Sequence, residues 1–257
     1  MISTFAGYSN IANDLTRSLS QVRQQPPVQR ETEYYLENIG QVDTIEQLVE
    51  DTRLFTYAMR AHGLSDMAYA KAFMVKVLEE GRDSEDSFAN TLADSRYREF
   101  AETFDFFRYG SSATTFGRAR EGVVDKYLRQ TLEEDAGASN EGIRLALYFE
   151  RKAPNLESIY SILADRALGV VVRTALGLPE TTALLDIDKQ VELIGEKLTL
   201  SDFQDPAKLD EFLKRFTNLW ELANPSTNQA QTAGLLFGQS EQFGISTELM
   251  LTIQQLK

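Results

Sequence analysis

The one histidine of the chain, His62, stands immediately before Gly63. An imidazole is the side chain whose ordinary pKa best suits it to move a proton near neutrality, so it is the first residue to test for chemistry. Catalysis would require a nucleophile or second base at motif spacing, and no such motif accompanies it. Its place at the expected end of a helix instead suits a partly charged ring near the negative pole of the helix dipole. Asp186-Ile187-Asp188 has the opening of a calcium loop. Loop positions six and twelve need glycine and glutamate but hold Val191 and Lys197, so the pair reads as the cap of the next helix. Glu79-Glu80 and Glu133-Glu134-Asp135 are adjacent carboxylates. Neighbours in sequence point apart on a helix and cannot clasp a substrate, so these read as surface charges. Gly110-Ser111-Ser112 and Gly234-Leu235-Leu236-Phe237-Gly238 lack the lysine and spacing of phosphate loops. With no cysteine, disulfides, thiolate catalysis and cysteine zinc sites are excluded. No catalytic, cofactor-binding or metal-ligating residue is assigned, no cofactor is expected, and a non-enzymatic protein is the expectation.

Charge and length narrow the partners. The 257 residues carry a formal charge of −13, which repels phosphate backbones and anionic lipid, so neither nucleic acid nor a membrane surface is expected as a partner. The most basic stretch, Arg108, Arg118, Arg120, Lys126 and Arg129, is interrupted by Glu121 and Asp125 and reads as a solvated face. The aromatic set Phe104, Phe106, Phe107 and Tyr109 reads as core, with an exposed partner patch as the sharper alternative. Met1-Ile2-Ser3-Thr4-Phe5 lacks the start of a secretory signal, and no segment approaches the roughly 20 apolar residues of a membrane span. A cytoplasmic protein is expected.

The elements that would position these residues are helices. Only six prolines and fifteen glycines interrupt the chain. Ile11, Leu15, Leu19 and Val22 form an amphipathic stripe that Pro26-Pro27 is expected to end, with a polar segment following to about Val42. Thr44-Ile45-Glu46-Gln47 is a capping box, and the helix it opens should run through Leu48, Leu54 and Met59 to Gly63. Leu64-Ser65-Asp66 should cap a second helix ending at Gly81, and Asp94 a third that runs to Phe107. Residues 108–120 read as loop, Val123 to Leu132 as helix and Asp135 to Asn140 as a turn. Period alone leaves Ile143 to Phe149 open to strand, with helix favoured by the following Glu150-Arg151-Lys152. Asp205-Pro206 opens the last large helix. Ser246 or Thr247 caps a terminal one with Leu249, Met250, Ile253 and Leu256. An all-α bundle is therefore predicted.

The helices also echo one another. Gly177-Leu178-Pro179-Glu180 answers Gly63-Leu64-Ser65-Asp66, and Phe212 and Phe216 answer Phe100 and Phe104. Residues 44–107 and 156–222 are thus expected to be copies of one three-helix unit. The organisation expected is an N-terminal helix and linker over 1–29, a first helical unit over 30–135 and a second packed on it over 136–224. A flexible segment with a terminal helix then completes 225–257.

The run Met59-Arg60-Ala61-His62-Gly63-Leu64-Ser65-Asp66-Met67-Ala68-Tyr69-Ala70-Lys71-Ala72-Phe73 resembles a family of alphaproteobacterial proteins known as domain of unknown function twelve-seventeen. Leu92 to Tyr97, Arg144 to Arg151, Arg173 to Pro179 and Leu185 to Gln190 resemble it too, so the likeness spans roughly residues 30–222. Members are typically encoded among flagellar genes, and the family supplies no catalytic residues to carry over. The resemblance implies an accessory, adaptor or chaperone of flagellar assembly or motility. The alternative is a structural component exported into the rod or basal body; an uncharacterised enzyme is the third reading. Ser9-Asn10-Ile11-Ala12-Asn13 echoes the N-terminal turn of rod proteins, but Asp14-Leu15-Thr16-Arg17 stands where their Thr-Pro-Gly-aromatic continuation would be.

Overall fold

Short polar side chains cut this chain into helices. In the computed structural model, which describes residues 3–225, the Asp51 carboxylate accepts from the backbone N–H groups of Arg53 (3.0 Å) and Leu54 (2.9 Å). That cap starts a new helix in the middle of a continuous apolar stripe. The helix expected from Thr44 is therefore two helices. The same device recurs along the chain, which runs α1 Thr4–Ala12, α2 Leu15–Arg23, α3 Pro26–Asn38, α4 Ile45–Glu50, α5 Thr52–Ala61, α6 Lys71–Glu79, α7 Phe88–Thr91 and α8 Ser95–Thr103. It continues through α9 Phe106–Tyr109, α10 Glu121–Ser139, α11 Glu141–Lys152, α12 Ile159–Ala164, α13 Arg166–Ala175, α14 Ile187–Gly195 and α15 Pro206–Ala223. No strand occurs among the described residues, and the fold is all-α. The expected terminal helix at 247–256 and the Gly234–Gly238 run lie outside the described residues.

Several sequence expectations meet a physical correction. Pro26 and Pro27 open α3 instead of standing in a break, because the first helical positions have no intrahelical use for an N–H. The segment read as polar is helical and buries Val28 and Tyr35 on the inner side of that helix. The expected turn at 135–140 shrinks to Asn140, whose side chain accepts from Gly142 N–H (2.9 Å) and caps α11. The third expected helix breaks at Phe104, where Asp105 caps α9 through Arg108 N–H (3.1 Å). Leu64-Ser65-Asp66 leads into a single 3₁₀ turn, and α6 starts later, after Ala70, without a side-chain cap. The glycine stops at Gly63, Gly81 and Gly177 all have positive φ (69°, 59° and 66°), which a Cβ would oppose. Asp205 caps α15 through Ala207 N–H (2.9 Å) with Pro206 in the first turn, as its sequence predicts.

Two hydrophobic cores form. The first gathers Tyr35, Phe55, Phe100 and Phe104 with residues from Val22 to Leu132. The second gathers Phe149, Phe203 and Phe216 with Tyr8 and residues from Ala136 onward. Helix α10 feeds both, and its packing on α5 and α11 makes the seam between them. The N-terminal helices do not stand apart: α1 packs on α11 and α15, and α2 on α10.

Some element bounds recur along the chain at a single offset. The bounds of α12 and α13 and the position of Gly177 are those of α4, α5 and Gly63 plus 114. Tyr34 donates to Asp51 Oδ2 at 2.9 Å, and 114 positions later Tyr148 donates to Asp165 Oδ2 at 2.5 Å. The correspondence expected between Phe100 and Phe212 is absent. Phe100 packs on His62 and Phe104, whereas Phe212 packs on Phe149 and Phe203.

Candidate functional site

His62 caps the C-terminus of α5 and lies buried. Its Nδ1 is 2.8 Å from Ala58 O. A carbonyl only accepts, so Nδ1 carries the proton and Nε2 is an acceptor. Lys126 Nζ donates to that Nε2 at 3.0 Å and to Thr103 Oγ1 at 3.2 Å. The Thr103 hydroxyl donates in turn to Glu99 O at 2.8 Å. Burial, reinforced by the Lys126 ammonium, lowers the pKa of His62 to about 3. The ring is neutral, which corrects the partly charged imidazole expected from its helix position: burial and an adjacent cation outweigh the dipole. The Thr103 hydroxyl 3.0 Å from the ring is itself buried, and His62 meets the cleft only at its inner edge, behind Lys126.

Lys126 opens onto a cleft of about 790 Å³ along the seam. The end of α5, the start of α8, the middle of α10, one face of α11 and the start of α13 line it, with Trp220 of α15. Seven cationic side chains face it (Arg96, Arg98, Lys126, Arg144, Arg151, Lys152 and Arg166) against four carboxylates (Asp94, Glu99, Glu141 and Asp165). Three of the carboxylates pair with cations of the wall: Asp94 with Arg96, Glu99 with Lys152 and Glu141 with Arg144. Asp165 is engaged by the N-terminus of α13 and the Tyr148 hydroxyl.

Glu133 lies behind the wall. It was expected on the surface and is 1% exposed. It accepts from Arg151 Nε and Nη2 (both 2.8 Å) and from Arg129 Nε (3.1 Å), and Arg129 also donates to Leu147 O (3.0 Å). This buried cluster ties α10 to α11. It also breaks the expected solvated basic face, since Arg129 is interior and Lys126 belongs to the cleft. The rest of the sequence candidates fall elsewhere. Asp186 accepts from Asp188 N–H (3.0 Å) and caps α14, and Glu79 and Glu80 are exposed.

Two groups of large apolar side chains reach solvent. Phe104 and Phe106 are core, but Phe107 is 59% exposed, and Tyr109 and Phe116 are also exposed, their rings carrying Arg118 at 4.6 and 5.2 Å. The second group was not anticipated. Leu184 is 85% exposed, with Leu185, Ile187 and Tyr160 between 43% and 50%. The Tyr160 hydroxyl donates to Asp188 Oδ1 (2.9 Å), which sets Tyr160 of α12 against the segment carrying Leu184, Leu185 and Ile187, and the four are taken together as a ridge. Glu180, Asp186 and Asp188 are exposed alongside. No described helix is long and apolar enough to cross a membrane.

The comparisons agree with this architecture. A family model described as "Protein of unknown function (DUF1217)" matches residues 61–209. A crystal structure of a protein from Agrobacterium tumefaciens, a structural-genomics target, is similar to this chain at 50% identity with a TM-score of 0.81. The similarity covers 86% of this chain and 94% of that one. No curated protein matches the chain.

Proposed function

The chain belongs to the DUF1217 family, and on that premise we propose that it is a protein-binding accessory of the flagellar apparatus, acting as an adaptor or chaperone in assembly or motility. The flagellar setting follows from the gene company of the family it resembles. The observation that carries the binding role is the ridge of Tyr160, Leu184, Leu185 and Ile187. Single exposed apolar residues are ordinary, but a contiguous group with a polar rim marks an interaction surface. Burying a large aliphatic side chain contributes roughly 1.5–3 kcal/mol, so even partial burial of these four is a substantial part of a micromolar interface. The acidic rim favours a partner that brings an apolar helical face flanked by lysine or arginine. The recurrence at 114 residues supports a further element of the proposal, that the body grew by duplication of a unit comprising α4, α5 and the glycine cap.

The test is a chromosomal Leu184→Asp, Ile187→Asp double substitution. Both positions are exposed, so thermal stability should be unchanged while swimming is reduced and the partner is lost from affinity purification. Normal swimming with an unchanged set of partners would refute the docking role. Co-purification of the native chain with hook–basal bodies would replace the accessory reading with a structural one.

A further inference from the structure

We propose that the cleft along the seam binds a small, multiply charged oxyanion, a phosphorylated or polycarboxylate molecule, contacted by Lys126, Arg98 and Arg166. The inference stands on residues other than the apolar ridge and is independent of the partner assigned to it.

The charge balance of the cleft opposes that of the protein. The whole chain has 39 acidic against 26 basic residues, yet the cleft has more bases than acids. Once the internal pairs are set aside, Arg98, Lys126 and Arg166 remain, none of them ion-paired among the described residues, against the single carboxylate of Asp165, which is taken up by the N-terminus of α13 and the Tyr148 hydroxyl. Arg98 and Arg166 are exposed and lie at the mouth.

Lys126 carries the argument furthest. It is half-buried, and two of its three donors are directed to His62 and Thr103. The third is left for the cleft. Burial lowers its pKa although the carboxylates of Glu99 and Glu102 act against the shift, the mark of an ammonium held where water solvates it poorly and no ion pair closes on it. Such a group destabilises the empty protein and becomes favourable once an anion arrives. His62 then has a defined use: its fixed tautomer presents an acceptor that aims the ammonium, which makes it a positioning residue.

Size sets the class of ligand. A cleft near 790 Å³ suits a small molecule and is too small for a folded partner. The indole of Trp220 and the ring of Tyr148 supply flat walls for the uncharged part of such a molecule.

Trp220 is the sole tryptophan, so its fluorescence reports on this cleft. The experiment titrates the full-length protein with pyrophosphate, ATP and citrate at matched ionic strength, with sodium chloride as the reference and calorimetry as a second readout. Saturable binding of at least one probe is expected; pyrophosphate or ATP against citrate then tells phosphate from carboxylate. Arg98→Ala with Arg166→Ala, both exposed and expected to fold, should weaken binding by about tenfold or more, the scale of losing hydrogen bonds to a charged group. Lys126→Met should weaken it at least as much. Responses no different from sodium chloride for all three probes would overturn the proposal, as would undiminished affinity in the folded double variant.

Discussion

Lowering the pH from 8 to 5.5 should destabilise this protein through one residue. His62 is the only histidine, so apart from the chain's amino end it is the one group with an ordinary pKa between those limits. In the folded state its pKa is lowered from 6.5 to about 3, first by burial and then by Lys126, with Lys152 and Arg151 adding smaller repulsions. The unfolded chain therefore binds a proton across this window and the folded chain does not. Stability is full above the unfolded value of 6.5 and is lost as the pH falls toward the folded value. At pH 5.5, one unit below the unfolded pKa, the loss is about 1.4 kcal/mol relative to pH 8. In a chain of this size that is a fall in Tm of roughly 3–6 °C. Urea unfolding of wild type and of His62→Gln at pH 8, 6.5 and 5.5 measures it. Glutamine keeps an acceptor toward Lys126 and cannot titrate. The variant should lose the pH dependence while wild type shows it. Equal slopes in the two proteins, or a flat wild-type profile, would refute the buried neutral imidazole.

Four further outcomes follow from the packing. Glu133→Gln should cost on the order of 3 kcal/mol in urea unfolding, because it leaves Arg129 and Arg151 without their buried counter-charge. Glu134→Gln, whose pair with Arg60 is one-third exposed, should cost less than about 1 kcal/mol. Gly177→Ala and Gly63→Ala should each cost on the order of 1 kcal/mol from backbone conformation alone, since a Cβ would meet nothing within 4 Å at the first and only ordinary contacts at the second. Gly81→Ala should cost more, because its Cβ would stand 2.8 Å from that of Phe107.

What was legible in the sequence was local. The glycine stops and the caps at Thr44, Asp186 and Asp205 depend on residues within a turn of one another, and all are present. Pro26-Pro27 misled because a proline that ends one helix is equally suited to begin the next. Asp51 was hidden because the apolar stripe continues across it, so periodicity joins two helices that the cap separates. Glu133 was misplaced because its bidentate partner, Arg151, lies on the next helix, and only the crossing of α10 and α11 takes the carboxylate out of water. The cleft was invisible for the same reason. His62, Arg98, Lys126 and Arg166 come from four helices or their ends, and no spacing in the chain relates them. The Leu184–Ile187 ridge left a fainter signal, an apolar run between a 3₁₀ turn and a helix cap, but such a run does not say which side meets solvent.

The central claim, that the ridge of Tyr160, Leu184, Leu185 and Ile187 receives a protein of the flagellar apparatus, is tested most directly by site-specific photocrosslinking in motile cells. A photoreactive amino acid at position 184 should give a discrete adduct containing a flagellar component, absent when the same group replaces the exposed Lys208. Identical adduct patterns from both positions, or none from 184, would contradict it.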